Sequence, residues 1–282
     1  MKIVATKKEL TALLDAERVQ GKSIGLVPTM GALHEGHLSL VEQAVKDYDI
    51  CVVSIFVNPK QFNNPQDLVT YPRQPEQDIQ LLEKAGCNYL FMPTEEEVYE
   101  QGAVEREFHF GPIAEVMEGI KRPGHFEGVA LIVSKLFELV KPDGAFFGEK
   151  DYQQIAIIRS MVAQCGFELD IIAMPIVREA SGLALSSRNQ RLTELTRPNA
   201  PKIYQKLRES LDWKNNGKTP RDVEKQVTEE LNAEPHLEVE YYTIVDATSL
   251  QPIESWNDAT QTIGCIACYC GEVRLIDNIF YT

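Results

Sequence analysis

Between Ser23 and Met174 the chain alternates short, almost wholly apolar runs with longer amphipathic ones, and this pattern limits the fold more than any other feature. Ser23–Pro28 is a strand-length run bounded by Gly21 and Pro28. Residues 50–57 form a second such run, apolar at nearly every position. Strands of that kind belong in a parallel sheet covered on both faces. Shorter strands are predicted at 89–92, 145–147 and 168–174. Helices are predicted at 36–46, from apolar positions 38, 41, 44 and 45, and at 78–85, 128–140 and 152–165. Strand and helix taking turns in this way predict a doubly wound, Rossmann-like α/β domain over residues 1–176. After Pro175 the pattern changes to two amphipathic helices, 191–211 and 220–232, and two strands, 237–245 and 260–270. That part, 177–282, is predicted to be a smaller C-terminal α+β domain.

Composition narrows the function. Of 282 residues, 44% are hydrophobic and 25% charged, which is ordinary for a globular chain. The formal net charge of −14 makes general binding of nucleic acid or anionic membrane unfavourable. A phosphorylated ligand would need a local basic cluster set against that field. No apolar run approaches the roughly 20 residues of a membrane span, and the N-terminus turns polar by Thr6, so a cytosolic location is expected. Six cysteines in a chain this long do not form a small disulfide scaffold.

The residues with chemistry sit mostly where strands end. His34-Glu35-Gly36-His37 falls between a strand and a helix. Two imidazoles three apart lie on one side of a helix start, where unsatisfied N–H groups favour an anion. Gly36 lets a ligand approach the backbone. Read alone, this is either a phosphate site with two movable protons or a surface loop with two ordinary histidines. It is not the H-E-x-x-H of a metalloprotease. Gly148-Glu149-Lys150-Asp151 follows a strand, where open α/β sheets bind ligands, and Gln154 lies just beyond. Lys150 suits a phosphate; Glu149 and Asp151 equally suit a helix start. Ser186-Ser187-Arg188-Asn189 suits a phosphate or a helix cap. Arg122, His125, Asn58 and Gln61 complete a set of loop residues near strand ends. Cys265, Cys268 and Cys270 have no fourth ligand at zinc spacing and alternate as a strand does. The Gly-x-Ser-x-Gly elbow and the Gly-x-Gly-x-x-Gly fingerprint are both missing from the sequence.

Taken in order, Pro28–His37, Val53–Phe62, Tyr71-Pro72-Arg73, Arg122–Phe126, Phe147–Gln154, Ser186–Asn189 and Arg274–Asn278 resemble the pantothenate synthetase (pantoate–β-alanine ligase) family along the whole chain. His34–His37 resembles the His-x-Gly-His signature of the nucleotidyltransferase superfamily. The resemblance implies an AMP-forming ligation of pantoate and β-alanine through a pantoyl adenylate, with Mg2+ accompanying ATP. It also implies a homodimer, with residues 177–282 acting as a lid. It places ATP at Met30, Gly31, His34, Gly36, His37, Gly148, Glu149, Lys150, Asp151, Val177, Leu185, Ser186, Ser187 and Arg188. His37, His34, Lys150 and Arg188 would serve the chemistry, and Gln61, Gln154, Asn58, Arg122 and His125 would receive pantoate and β-alanine. Family members often carry adjacent acidic residues after Tyr-Pro-Arg. Here the run is Pro75-Glu76-Gln77-Asp78, which leaves the protein ligand of magnesium unassigned, with Asp78 as a candidate. Two competing readings are a nucleotidyltransferase acting on a phosphate acceptor and a non-catalytic nucleotide-binding protein. The Gln61 and Gln154 pair favours a small polyol acid over a phosphate monoester.

Overall fold

Six parallel strands form the first sheet in a computed structural model that describes residues 1–99 and 105–281. They are β1 (Lys2–Val4), β2 (Ile24–Thr29), β3 (Ile50–Ile55), β4 (Tyr89–Phe91), β5 (Gly144–Gly148) and β6 (Asp170–Met174), in the order β1-β4-β3-β2-β5-β6. The accompanying helices are α1 (Lys7–Val19), α2 (Glu35–Asp47), α3 (Pro65–Val69), α4 (Pro75–Lys84) and α5 (Glu95–Val98). Further along come α6 (Glu118–Lys121), α7 (His125–Val140) and α8 (Tyr152–Cys165).

The apolar strands are explained by two cores, one on each face of this sheet. Leu26, Val52 and Ala145 point into one, with Leu10 and Leu14 of α1, Phe137 of α7 and Ile158 of α8. Their neighbours Val27, Val53 and Phe146 point into the other, with Leu40, Val41 and Ala44 of α2 and Leu82 of α4. Successive strand residues face opposite ways, so a strand buried on both sides has no polar face to show. The stripe predicted for α2 is corrected in part: positions 40, 41 and 44 are buried, whereas Val45 is 36% exposed. Helix α7 starts at His125, three residues earlier than predicted, after Gly124 at φ +79°.

The second unit holds an antiparallel sheet, β7 (Leu237–Asp246), β8 (Thr262–Cys270) and β9 (Val273–Tyr281), in that order. Helices α9 (Lys202–Asn215) and α10 (Pro220–Asn232) supply Ile203, Leu207, Val223, Val227 and Leu231 to its core. The predicted helix at 191–211 is corrected: the α-helix starts only at Lys202. Pro198 and Pro201 lack the N–H that an earlier helix needs.

By packing, the first unit comprises Met1–Phe110, Arg122–Glu149 and Gln154–Pro175, and the second Gly111–Lys121, Lys150–Gln153 and Ile176–Thr282. Two short segments therefore leave the first 176 residues to pack with the C-terminal part. Strand β9 receives both. Arg274 donates to Glu118 at 2.7 and 3.0 Å and to Glu240 at 2.6 and 3.0 Å. Asn278 Nδ2 donates to the Lys150 carbonyl at 3.2 Å. Among the described residues no helix is long and apolar enough to cross a membrane.

Candidate active site

Strand β2 lies between β3 and β5, where the strand order reverses, and its carboxyl end opens into the loop Met30–Leu33. Ligands of open α/β sheets bind at such a point. The chain turns there through Gly31 at φ +80° and Ala32 at φ +50°. A non-glycine residue in that region costs on the order of 1–2 kcal/mol. Thr29 Oγ1 donates to the Ser54 carbonyl at 2.8 Å and accepts from Gly31 N at 3.2 Å. Asp78, only 1% exposed, holds the next turn: its two carboxylate oxygens accept from Ala32 N at 2.9 Å and Leu33 N at 2.8 Å. A Cβ on Gly31 would stand 3.0 Å from Ile55 and 3.1 Å from that carboxylate, and at φ +80° any side chain is strained, so the turn favours glycine there.

His34 then caps α2. Its Nδ1 accepts from Gly36 N at 3.2 Å, and His37 Nδ1 accepts from His34 N at 3.4 Å. The two rings are 4.0 Å apart. With Nδ1 an acceptor on both, each neutral ring carries its proton on Nε2. Two N–H donors thus accompany the positive end of a helix dipole, an arrangement suited to an oxyanion.

The exit of β3 builds the second cluster. Asn58 caps the 3-10 turn Pro59–Gln61, accepting from Lys60 N at 3.3 Å. It is 1% exposed; its Nδ2 donates to the Gly128 carbonyl at 3.0 Å and to Gln61 Oε1 at 3.2 Å, and Tyr99 OH donates to its Oδ1 at 2.7 Å. Gln61 Nε2 lies 2.9 Å from Met30 Sδ, which joins this cluster to the β2 loop. His125 Nδ1 is 2.8 Å from the Gln61 carbonyl and donates to it. Its Nε2, 3.2 Å from Arg122 Nη1, accepts, so the ring is neutral in this arrangement. Gly128 lets α7 approach closely: a Cβ there would be 2.2 Å from the Lys60 carbonyl. Gly148 ends β5, Glu149 opens the 3-10 turn that follows, and half-buried Gln154 lies in α8.

The second unit carries the remaining candidates. Lys150 and Ser186 line one small hollow with Leu183, Ala184 and Asp277. Lys150 Nζ is 3.9 Å from Asp151. Val177 accepts from Leu185 N at 3.0 Å, closing a hairpin-like loop. Arg178 fastens that loop through a two-armed pair with Asp277, at 2.6 and 2.8 Å, and stacks 3.5 Å from the centre of the Tyr204 ring. Ser186 caps the 3-10 turn Ser187–Arg191, which contains Arg188.

Asp78, the candidate magnesium ligand, is engaged by the protein's own backbone. Both Asp78 oxygens are committed to backbone N–H groups, and neighbouring Gln77 is an exposed amide. Among the described residues no group of three or more His, Cys, Asp or Glu side chains could hold a metal ion. Cys265, Cys268 and Cys270 are buried free thiols in β8, and burial pushes the pKa values of Cys265 and Cys268 up to about 12.

Sequence reasoning missed three supporting residues: Asp78 in its clamping role, Tyr99, and Asp277 as the partner of Arg178. Asp78 had a readable signal. It stands four residues before Leu82, on the buried stripe of α4, where an acid needs a partner.

The sequence model of the family described as pantoate-beta-alanine ligase matches residues 2–280. A pantothenate synthetase of Porphyromonas gingivalis W83 is 56% identical over 281 residues, covering all of this chain and 99% of its own. One from Bacteroides thetaiotaomicron is 52% identical over 281 residues, again covering 100% and 99%. The crystal structure of pantothenate synthetase from Thermus thermophilus superposes with a TM-score of 0.92 at 42% identity, covering 99% of each chain. A pantoate-beta-alanine ligase from Francisella tularensis, complexed with beta-gamma ATP and beta-alanine, has a TM-score of 0.84 at 37% identity, covering 100% of this chain and 98% of its own.

Proposed function

The chain belongs to the pantoate–β-alanine ligase family, and on that premise we propose how its residues divide the work. The enzyme joins pantoate to β-alanine at the expense of ATP. In the proposed course, the pantoate carboxylate attacks the α-phosphorus of ATP and the bond to pyrophosphate breaks. The β-alanine amine then attacks the acyl carbon of the pantoyl adenylate, and AMP leaves as pantothenate forms. Each nucleophile belongs to a substrate, so no Ser or Cys need be activated. The protein supplies alignment and stabilisation of developing charge.

The observation that carries this reading is the imidazole pair at the start of α2, with rings 4.0 Å apart and both Nδ1 atoms engaged by backbone N–H. His34 and His37 act on the phosphates, and His37 stabilises the transition state through Nε2–H. Lys150 and Arg188 neutralise phosphate charge, with Ser186 and Ser187 at the pyrophosphate end. Met30, Gly31, Gly36, Gly148, Glu149, Asp151, Val177 and Leu185 complete the nucleotide contacts. Gln61 and Gln154 hold pantoate. Arg122 and His125 line the rest of that pocket, and Asn58 stands behind Gln61. Magnesium arrives on the ATP phosphates as part of the substrate. The resemblance further implies a homodimer in the cytosol.

The test is AMP release from ATP, magnesium and pantoate, with and without β-alanine. AMP and pantothenate are expected only with both acids. His37→Ala and Lys150→Ala should each lower turnover by roughly 10²-fold or more, the usual loss for a charge-stabilising group. Near wild-type turnover in both variants would remove the assignment of these residues.

A further inference from the structure

We propose that Tyr99 is a positioning residue for pantoate: through Asn58 it fixes the Gln61 carboxamide with its NH2 end outward, so that Gln61 meets an acceptor atom of the substrate. The inference rests on the reading above that Gln61 holds pantoate.

The argument is an accounting of donors and acceptors. The backbone N–H of Lys60 points at one end of the Asn58 carboxamide at 3.3 Å, and only oxygen can accept it. The Gly128 carbonyl lies 3.0 Å from the other end, and only the NH2 group can donate to it. Two backbone groups therefore fix which end of Asn58 is which. Tyr99 OH, 2.7 Å from Oδ1, must donate. Its hydroxyl keeps its proton, because burial, and then Glu105 and Glu95, raise its pKa well above the usual tyrosine range. Lys60 Nζ over the face of the ring, 4.3 Å from its centre, and Phe56 beside it hold the ring in place.

The second Asn58 Nδ2 hydrogen then goes to Gln61 Oε1 at 3.2 Å. The Gln61 oxygen is turned back into the protein, and Nε2 is the end left to recognise a ligand. That end now rests 2.9 Å from Met30 Sδ, a weak acceptor. A carboxylate or hydroxyl oxygen of pantoate displaces a poor partner and gains a good one. His125 holds the same residue by its backbone, so Gln61 is fixed at both ends before substrate arrives.

The experiment compares Tyr99→Phe, Gln61→Glu and Gln61→Ala in the full chain. Tyr99→Phe keeps the ring and removes the donor. It is expected to raise KM for pantoate about tenfold, the size of one oriented hydrogen bond, with KM for ATP and KM for β-alanine unchanged and Tm lowered by no more than a few degrees. Pantoate analogues lacking one hydroxyl should be discriminated less well by Tyr99→Phe than by wild type. Gln61→Glu keeps an oxygen for Asn58 but turns a second one outward, and should weaken pantoate at least as much as Gln61→Ala does. If Gln61→Ala leaves the pantoate KM unchanged, the assignment of Gln61 to pantoate fails and takes the proposal with it. If Gln61→Ala raises it while Tyr99→Phe matches wild type, the proposal alone is overturned. Equal changes in all three KM values with a lowered Tm would make Tyr99 merely structural, and retained pantoate affinity in Gln61→Glu would overturn the donor orientation.

Discussion

Glu224 on α10 is a carboxylate whose surroundings work against its charge. Burial raises its pKa, while the hydrogen bond from Ile244 N at 2.6 Å and the charge of Arg221 offset this only in part. Relative to the unfolded chain, the fold therefore binds the proton more tightly. Its contribution to stability is full below the unfolded value near 4.5 and is lost as pH rises through the higher folded value. Glu224→Gln keeps an acceptor for Ile244 and carries no charge. It should raise Tm by a few degrees near neutral pH, with the gain closing towards about pH 4. Thermal melts of both proteins across that range check it; a constant difference would refute the burial argument. Residues of the opposite kind are easier to read from sequence. His34 and His37 are legible because a helix start fixes what two imidazoles three apart can do. Tyr99 is not, since its importance lies in the Asn58 oxygen it meets, 41 positions away in the chain.

The β2–α2 loop depends on an element remote in sequence. Asp78 of α4 accepts from two consecutive N–H groups in a turn where Ala32 has φ +50°. Asp78→Ala leaves both donors unsatisfied, at roughly 1–3 kcal/mol each, and frees the turn that delivers His34. Turnover is expected to fall about 10²-fold or more, accompanied by a lower Tm, with Asp78→Asn between it and wild type because one oxygen remains. Steady-state kinetics and thermal melts decide this; wild-type turnover in Asp78→Ala would show that the turn holds itself. The same contrast explains which elements are legible. Strands β2 to β5 can be read because burial on both faces leaves an apolar run, and the edge strand β6, only partly buried, still keeps Ile171–Met174 apolar. β1 is three residues long, and α1 buries only Leu10 and Leu14. β9 enters the sequence reading as a motif but not as a strand, although Gly271 at φ +60° between two apolar runs is a hairpin signal.

Across the whole molecule, sequence pattern locates the change of architecture near Pro175 but not the two segments that pack with the C-terminal part. Nothing local marks Gly111–Lys121 or Lys150–Gln153 as belonging there; their partners Arg274 and Asn278 lie more than a hundred positions away. The Arg178–Asp277 pair is the most enclosed link on that strand, with side chains 17% and 5% exposed. Removing one partner of a buried pair costs roughly 3–5 kcal/mol. Asp277→Ala should therefore lower the melting temperature of the full chain by several degrees and raise KM for ATP, because the loop bearing Val177 and Ser186 loses its fastening. A Tm within about a degree of wild type would count against the pair as an anchor.

Synthesis gives β9 a further consequence. The six-stranded sheet is complete once Met174 has emerged, yet β9 begins about a hundred residues later. At the usual 5–20 residues per second, that is a delay of roughly 5–20 s on the ribosome. Throughout it, the segments carrying Glu118, Lys150 and Arg178 wait for the strand on which they settle. A nascent chain halted before Val273 has all six strands of the first sheet and lacks the strand on which those segments settle.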